Sequence, residues 1–382
     1  MEFSKISSND GLRSDSPETA ACPTGRASTT RSQAPKHRQD NIDLLRAIAI
    51  VAVILYHYTT RFPVDFYQAT AMPFTFAWGR HGVDLFFTVS GFCIFMTLDS
   101  SKSLENFWAR RIARIQPAYM TAIVITAATL MIVELPGRTT SWPIALSNML
   151  WLNIIPHWPQ VDGAYWSLVV ELKFYFLIGL IYYGMRGCNI SLAWLVVCIA
   201  GAAARFTGPY AAYTDNILIS DFAPSFLAGI LAWEWPRLHR PHAFALAACT
   251  CILLLITPRF DDAWLLGLFL GIGAFVILRM SWLKVPKAIT FIGLISYSMY
   301  LLHQNIGYIL IRGLPFGIEF RLAAAFLIVA SLAALLYWAV ERRWERAVQR
   351  HSELLLGAGR RSLRLPPRPI LKPSLPDEMR AW

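Results

Sequence analysis

The chain has 382 residues, of which 55% are hydrophobic, 13% aromatic and only 15% charged, against roughly a quarter charged in soluble domains. That composition excludes a fold with water on every side, and the surplus apolar surface is expected to face lipid. The formal net charge of +11 is read by its placement along the chain, not as a nucleic-acid footprint, and no nucleic-acid partner is expected.

Residues 1–40 are rich in Ser, Thr, Pro, Asp and Arg with almost no aliphatic content, so they read as a disordered cytoplasmic tail. They are not a secretory signal, because the first apolar run begins only at Ile42. Ten apolar stretches follow, at roughly 42–60, 82–98, 117–134, 167–185, 191–206, 217–235, 243–257, 263–280, 289–311 and 320–341. Each is read as a helix crossing a ~30 Å hydrocarbon core. The run 142–155, cut by Pro143 and Pro156, reads as an interfacial or re-entrant piece instead of a crossing. Residues 346–382 form a basic, proline-rich cytoplasmic tail. The fold class is therefore all-α, a polytopic membrane helical bundle over 41–345.

Placement of Lys and Arg sets the orientation. With the N-terminus inside, 26 of the 35 fall on cytoplasmic pieces and only Arg61, Arg80, Arg138, Arg259, Arg312 and Arg321 fall outside, so both termini are expected in the cytoplasm. The six cysteines lie in a polar tail or beside apolar stretches and are read as free thiols, with no metal-ligand spacing among them. No period of 20–50 residues repeats and no pair of broken helices matches between halves, which gives no support to an inverted-repeat transporter.

The first stretch, NIDLLRAIAIVAVILYHYTT, keeps two ionisable residues in an otherwise apolar run. Arg46 and His57 are eleven residues apart, close to three turns, so both project from one helix face with about 16 Å between them. Asp84 stands at the outer end of the second span, with Thr88 and Gly91 on its face. Glu171 lies about one turn into the fourth, GAYWSLVVELKFYF, and His303 in the outer half of the ninth, ISYSMYLLHQN, with Ser296 and Tyr300 on its face. His57, Asp84, Glu171 and His303 are thus expected at comparable depth and paired with one another, since an unpaired buried carboxylate costs several kcal/mol. On the inner side, FWARRIARIQPAY places Arg110, Arg111 and Arg114 just before the third span, which Pro117 opens. Guanidinium forks at that spacing suit phosphates.

The segments DLLRAIAIVAVILYHY, GVDLFFTVSGFCIF, FWARRIARIQPAY, YWSLVVELKFYF and ISYSMYLLH, in this order, resemble the membrane-bound acyltransferase-3 family, whose members O-acylate bacterial surface sugars and exported glycans. The resemblance runs from residue 41 to about 342. It carries the family's Arg-x10-His onto Arg46 and His57, its SGF signature onto Ser90, Gly91 and Phe92, its basic motif onto Arg110, Arg111 and Arg114, and its glutamate onto Glu171. Cys93 after the SGF and Gln116 in the basic motif depart from the pattern. Many relatives carry a fused extracytoplasmic esterase-like domain; none is read in this sequence, so delivery to the acceptor is expected alone or with a partner.

The resemblance implies a multi-pass enzyme of the bacterial inner membrane, in contact with membrane lipid. It uses acyl-CoA, most often acetyl-CoA, as co-substrate with no permanently bound cofactor. The acceptor is a hydroxyl of an exopolysaccharide, lipopolysaccharide or other glycan. Arg46 and Arg114, with Arg110 or Arg111, would hold the donor phosphates. His57 would deprotonate the acceptor hydroxyl, with Glu171 or Asp84 orienting the imidazole and His303 in the same group. Direct transfer and a transient acyl-histidine both fit. A transporter of a lipid-linked glycan is the alternative reading, and a scaffold that keeps its polar pairs for stability is a third.

Overall fold

The computed structural model describes residues 36–66, 72–101, 103–185, 189–204, 211–257, 264–280, 283–344 and 346–347. The tails expected at 1–40 and 346–382 lie outside these residues except for 36–40, 346 and 347, as do Cys22 and Cys188. Every regular element among the described residues is helical.

Helix α1 (Lys36–Tyr56) continues through a π turn, His57–Arg61, into α2 (Phe62–Phe66). A 3₁₀ turn, Ala77–His81, leads into α3 (Gly82–Leu98), which is followed by α4 (Leu104–Ile132) and the eight-residue α5 (Trp142–Met149). The 3₁₀ turn Gly163–Tyr165 opens α6 (Trp166–Gly184), and α7 (Ile190–Ala204), α8 (Ala211–Leu218), α9 (Ala223–Glu234) and α10 (Arg240–Ile256) come next. The series closes with α11 (Trp264–Arg279), α12 (Lys287–Gly313) and α13 (Ile318–Leu336), the last extended by a second π turn, Tyr337–Glu341.

Nine of the ten apolar stretches fall on one helical run each among the described residues, and 217–235 is divided by a turn at 219–222 between α8 and α9. Among the described residues, six helical segments are long and apolar enough to cross a membrane: Asp40–Phe66, Ala77–Leu98, Leu104–Ile132, Gly163–Gly184, Thr214–Arg237 and Ile318–Trp344. Ile190–Ala204, Arg240–Ile256 and Leu265–Arg279 are shorter apolar helices. The segment 142–155 is α5 plus a 3₁₀ turn. At 1.5 Å per residue, eight residues rise only about 12 Å, too little for a crossing.

The third span begins earlier than the sequence predicts. Ser103 caps α4 by accepting from the Asn106 N–H (3.3 Å), and Pro117 lies inside the helix. Arg110, Arg111 and Arg114 therefore stand on the helix itself, not in a loop before it.

The core seam joins α1 to α12. A Cβ at Gly293 would lie 2.0 Å from the Asp43 carbonyl, and one at Gly307 would lie 2.1 Å from the Tyr58 hydroxyl. Only glycine admits such an approach, as at other membrane helix contacts built on small residues. Because 43 meets 293 and 58 meets 307, the two helices run parallel. That register carries His57 to His303.

Candidate active site

On α12, His303 is fully buried and its Nδ1 lies 2.7 Å from the Tyr300 carbonyl. A carbonyl only accepts, so this nitrogen carries the proton and Nε2 is an acceptor. His303 Nε2 lies 3.3 Å from His57 Nδ1, which also lies 2.9 Å from the Val53 carbonyl. His57 Nδ1 is therefore the protonated nitrogen, shared between two acceptors. The lone pair of His57 stands on Nε2, the nitrogen a general base needs. His57 begins the π turn, a geometry frequent at functional sites.

Glu171 lies elsewhere. Its Oε1 accepts from the Ser90 hydroxyl at 2.6 Å and from the Tyr175 hydroxyl. Both residues line a cavity of about 100 Å³ with Arg46, Arg111, Arg114, Ser167, Tyr300 and Glu341. A second cavity of about 250 Å³ shares Arg46, Cys93, Arg111 and Arg114 with the first and adds Asp43 and Thr97. Its lining holds three arginines and one carboxylate, a surplus of positive charge. Arg46 lies 3.7 Å from Cys93 Sγ and 3.9 Å from Asp43, and buried Arg111 donates to Thr97 and covers the Tyr175 ring at 5.3 Å. Arg110 instead donates to Ser100 (2.9 Å) and lines neither cavity.

Asp84 is also apart. It is buried, 3.0 Å from His81 Nδ1, and accepts from Ser225 of α9 at 3.1 Å. Gly79 and Gly82 turn toward α1, and two residues further is about 200° around the helix, which aims Asp84 at α9. The expected four-residue outer cluster is thus three separate sites: His57 with His303, Glu171 with the arginine-lined cavity, and Asp84 in the α3–α9 seam. Neither carboxylate orients the imidazole; the Val53 carbonyl and His303 do.

Tyr300 links the first two. It lines the cavity, and its ring lies 5.3 Å from the His303 ring. Its hydroxyl meets Ser167 Oγ at 2.5 Å and donates to the Ala164 carbonyl at 2.9 Å. Beyond the histidines, Asp65 bridges Arg61 (2.8 Å) and Arg138 (2.7 Å).

A family model described as an acyltransferase domain, that of the acyltransferase-3 family, matches residues 39–339. The chain belongs to the acyltransferase-3 family. It is similar to acyltransferase MdmB of Streptomyces mycarofaciens, 24% identical over 80% of this chain and 91% of that protein. It is also similar to a Komagataeibacter xylinus protein named as membrane-bound transacylase BcsY, 26% identical over 70% of this chain and 73% of the relative. Proteins of Staphylococcus aureus named as O-acetyltransferases match at 25% over 69% of this chain, which spans 49% of their length. No solved structure matches the chain. An acyltransferase of this family with several membrane-length helices is a multi-pass membrane enzyme.

Several residues of the site went unread in the sequence. Tyr175 stands at i+4 from Glu171, a spacing that a helical reading of VVELKFYF contains. Glu341 is a lone carboxylate closing an apolar run, and its burial beside Ser298 (3.0 Å) marks it only in three dimensions. Asp162 lies in a loop, where composition carries no signal. Its carboxylate accepts from Ala164 N–H (2.9 Å) and Asn305 N–H (3.1 Å), yet burial outweighs those bonds and pushes it up to about 6.

Proposed function

We propose that the protein transfers an acyl group, most often acetyl, from cytoplasmic acyl-CoA to a glycan hydroxyl at the outer face of the bacterial inner membrane. The observation that carries this reading is the continuous lining from three arginines to Tyr300, one aromatic ring from the histidine pair. Arg46, Arg111 and Arg114 hold the anionic phosphates at the inner cavity. Arg110, which points elsewhere, leaves that role to Arg111. The pantetheine arm lies along this cavity toward Tyr300, past the Glu171 carboxylate.

In the transfer, His57 Nε2 takes the proton of the acceptor hydroxyl while its oxygen attacks the thioester carbonyl. The C–S bond then breaks, and the coenzyme A thiolate leaves and is protonated. His303 holds His57 in the tautomer that leaves Nε2 bare, and accepts from the Nδ1–H that becomes more acidic as the imidazolium forms. The ten apolar stretches then form ten crossings with both termini cytoplasmic, so donor and acceptor meet from opposite sides. The transacylase and O-acetyltransferase names of the relatives support acyl transfer as the chemistry.

The test is glycan acylation by mass spectrometry in cells with matched membrane abundance of each variant. His57→Ala is expected to lower transfer by at least about 100-fold, the ordinary weight of a general base. Arg114→Ala is expected to raise the apparent KM for acetyl-CoA about tenfold, a loss of uniform binding. Near wild-type acylation in His57→Ala overturns the base assignment. Membrane vesicles that export a lipid-linked glycan without consuming acetyl-CoA would turn the reading to transport.

A further inference from the structure

The turn Val161–Tyr165 grips α12 on both sides of His303. The Asp162 carboxylate accepts the Asn305 N–H (3.1 Å), and the Asn305 side-chain amide donates to the Val161 carbonyl (2.9 Å). The Tyr165 hydroxyl donates to the Leu301 carbonyl (3.1 Å), and Tyr300 donates to the Ala164 carbonyl (2.9 Å). Gly163 abuts Gln304, since a Cβ there would lie 3.0 Å from its amide oxygen. The carbonyl of Leu301 and the N–H of Asn305 are one i, i+4 pair of the helix ladder, and both are engaged from this single turn. Four residues around His303 are thereby fixed by a segment with no reacting group of its own. Asp162 is 1% exposed, so this carboxylate has been taken out of water to make these bonds, a cost that needs a return.

Resting on the acyl-transfer reading above, we infer that Asp162 is a positioning residue for the histidine pair: it holds the α12 turn at 301–305 so that His303 Nε2 meets His57 Nδ1 and keeps the His57 lone pair on Nε2. The cause is geometric. The His57–His303 contact is a 3.3 Å bond at the long end of the hydrogen-bond range, so a small shift of the turn breaks it. Donor binding is assigned to Arg46, Arg111 and Arg114, on α1 and α4, whereas the Asp162 carboxylate bonds the Ala164 and Asn305 N–H groups.

Two measurements on the full-length protein in membranes test this. The first is transfer of labelled acetyl from acetyl-CoA to the endogenous acceptor in vesicles of the native host. Asp162→Ala is expected to lower the rate at saturating acetyl-CoA by about 10–100-fold, the usual effect of misplacing a catalytic group by about an ångström. The half-saturating acetyl-CoA concentration is expected to stay unchanged. Asp162→Asn, which keeps one acceptor oxygen, is expected to fall between the two.

The second measurement needs no acceptor. Carbethoxylation by diethyl pyrocarbonate, read by peptide mass spectrometry, is expected within the pair at His57 alone in the wild type and at both His57 and His303 in Asp162→Ala, with the exposed His157, His239 and His242 labelled alike in both proteins. Unchanged labelling in both variants overturns the inference. So does a rise in half-saturation that accompanies the loss of rate, or failure of both variants to reach wild-type abundance, either of which makes Asp162 a general structural pin. A wild-type protein that transfers no acetyl overturns the acyl-transfer reading instead, and a dead His57→Ala beside an active Asp162→Ala removes this inference alone.

Discussion

Tyr300 separates two environments, with the arginine-lined cavity on one side and His303 on the other. Its hydroxyl is latched by Ser167 and by the Ala164 carbonyl, so Tyr300→Phe keeps the ring and removes the latch. Release of coenzyme A from acetyl-CoA in the absence of acceptor is expected to rise in that variant, because water then reaches the thioester end of the cavity. Release equal to wild type would remove Tyr300 as the barrier. Asp162 gives a pH signature at the same scale. Burial lifts its carboxyl from an ordinary 3.8 to about 6, so between those values the folded protein holds a proton that the unfolded chain has lost. Stability from this group is full below pH 4 and falls as pH rises through 6, by at most about 3 kcal/mol. Thermal unfolding in detergent should show that slope flattened in Asp162→Asn; an unchanged slope would assign it to other groups.

At the scale of helices, close approach of α1 and α12 makes the histidine contact, and Gly293 sets that approach. Gly293→Ala puts a methyl where the Asp43 backbone stands, and overpacking of this kind costs typically 1–3 kcal/mol. A lower melting temperature and a loss of transfer are expected together, since separating the helices parts His57 from His303. Full activity in Gly293→Ala would mean that the pair tolerates helix displacement. The same seam shows where sequence reading stops. Apolar run length is a local property, and it located nine helical stretches and the short piece at 142–155, but not the turn at 219–222 that divides 217–235 into α8 and α9. Depth along a helix is also local, but direction around the bundle is not. Asp84 and Glu171 were therefore placed with His57 by depth, while packing turns Asp84 to Ser225 and Glu171 to Ser90. The start of α4 was missed because a proline usually opens a helix, and here Ser103 caps it four turns earlier. The arginines were legible as residues and as a motif; that Arg111 and Arg114 face the cavity while Arg110 does not depends on which side of α4 is covered.

For the molecule as a whole, the bias of Lys and Arg assigns sides, and the proposed reaction needs those sides to be right. In intact cells an impermeant maleimide is expected to label Thr139→Cys, in the turn between α4 and α5, above the wild-type background. Ser100→Cys, between α3 and α4, is expected to label only after permeabilisation. The opposite pattern would place the arginine cavity outside, where no acyl-CoA is made, and end the proposal. The π turn at 57–61 bears on how this molecule tolerates insertion and deletion. It holds one residue more than an α-helical turn requires, closing with the Phe62 N–H on the His57 carbonyl. Deleting a single residue just after His57 would relax it to an α-helix and leave the Arg46–His57 interval intact. Everything beyond would rotate by about 100°, carrying Asp65 away from Arg138. Relatives that differ by one residue at this point would thus keep the proposed base, His57, behind a differently faced rim, which under the proposed reaction is a route to different acceptors.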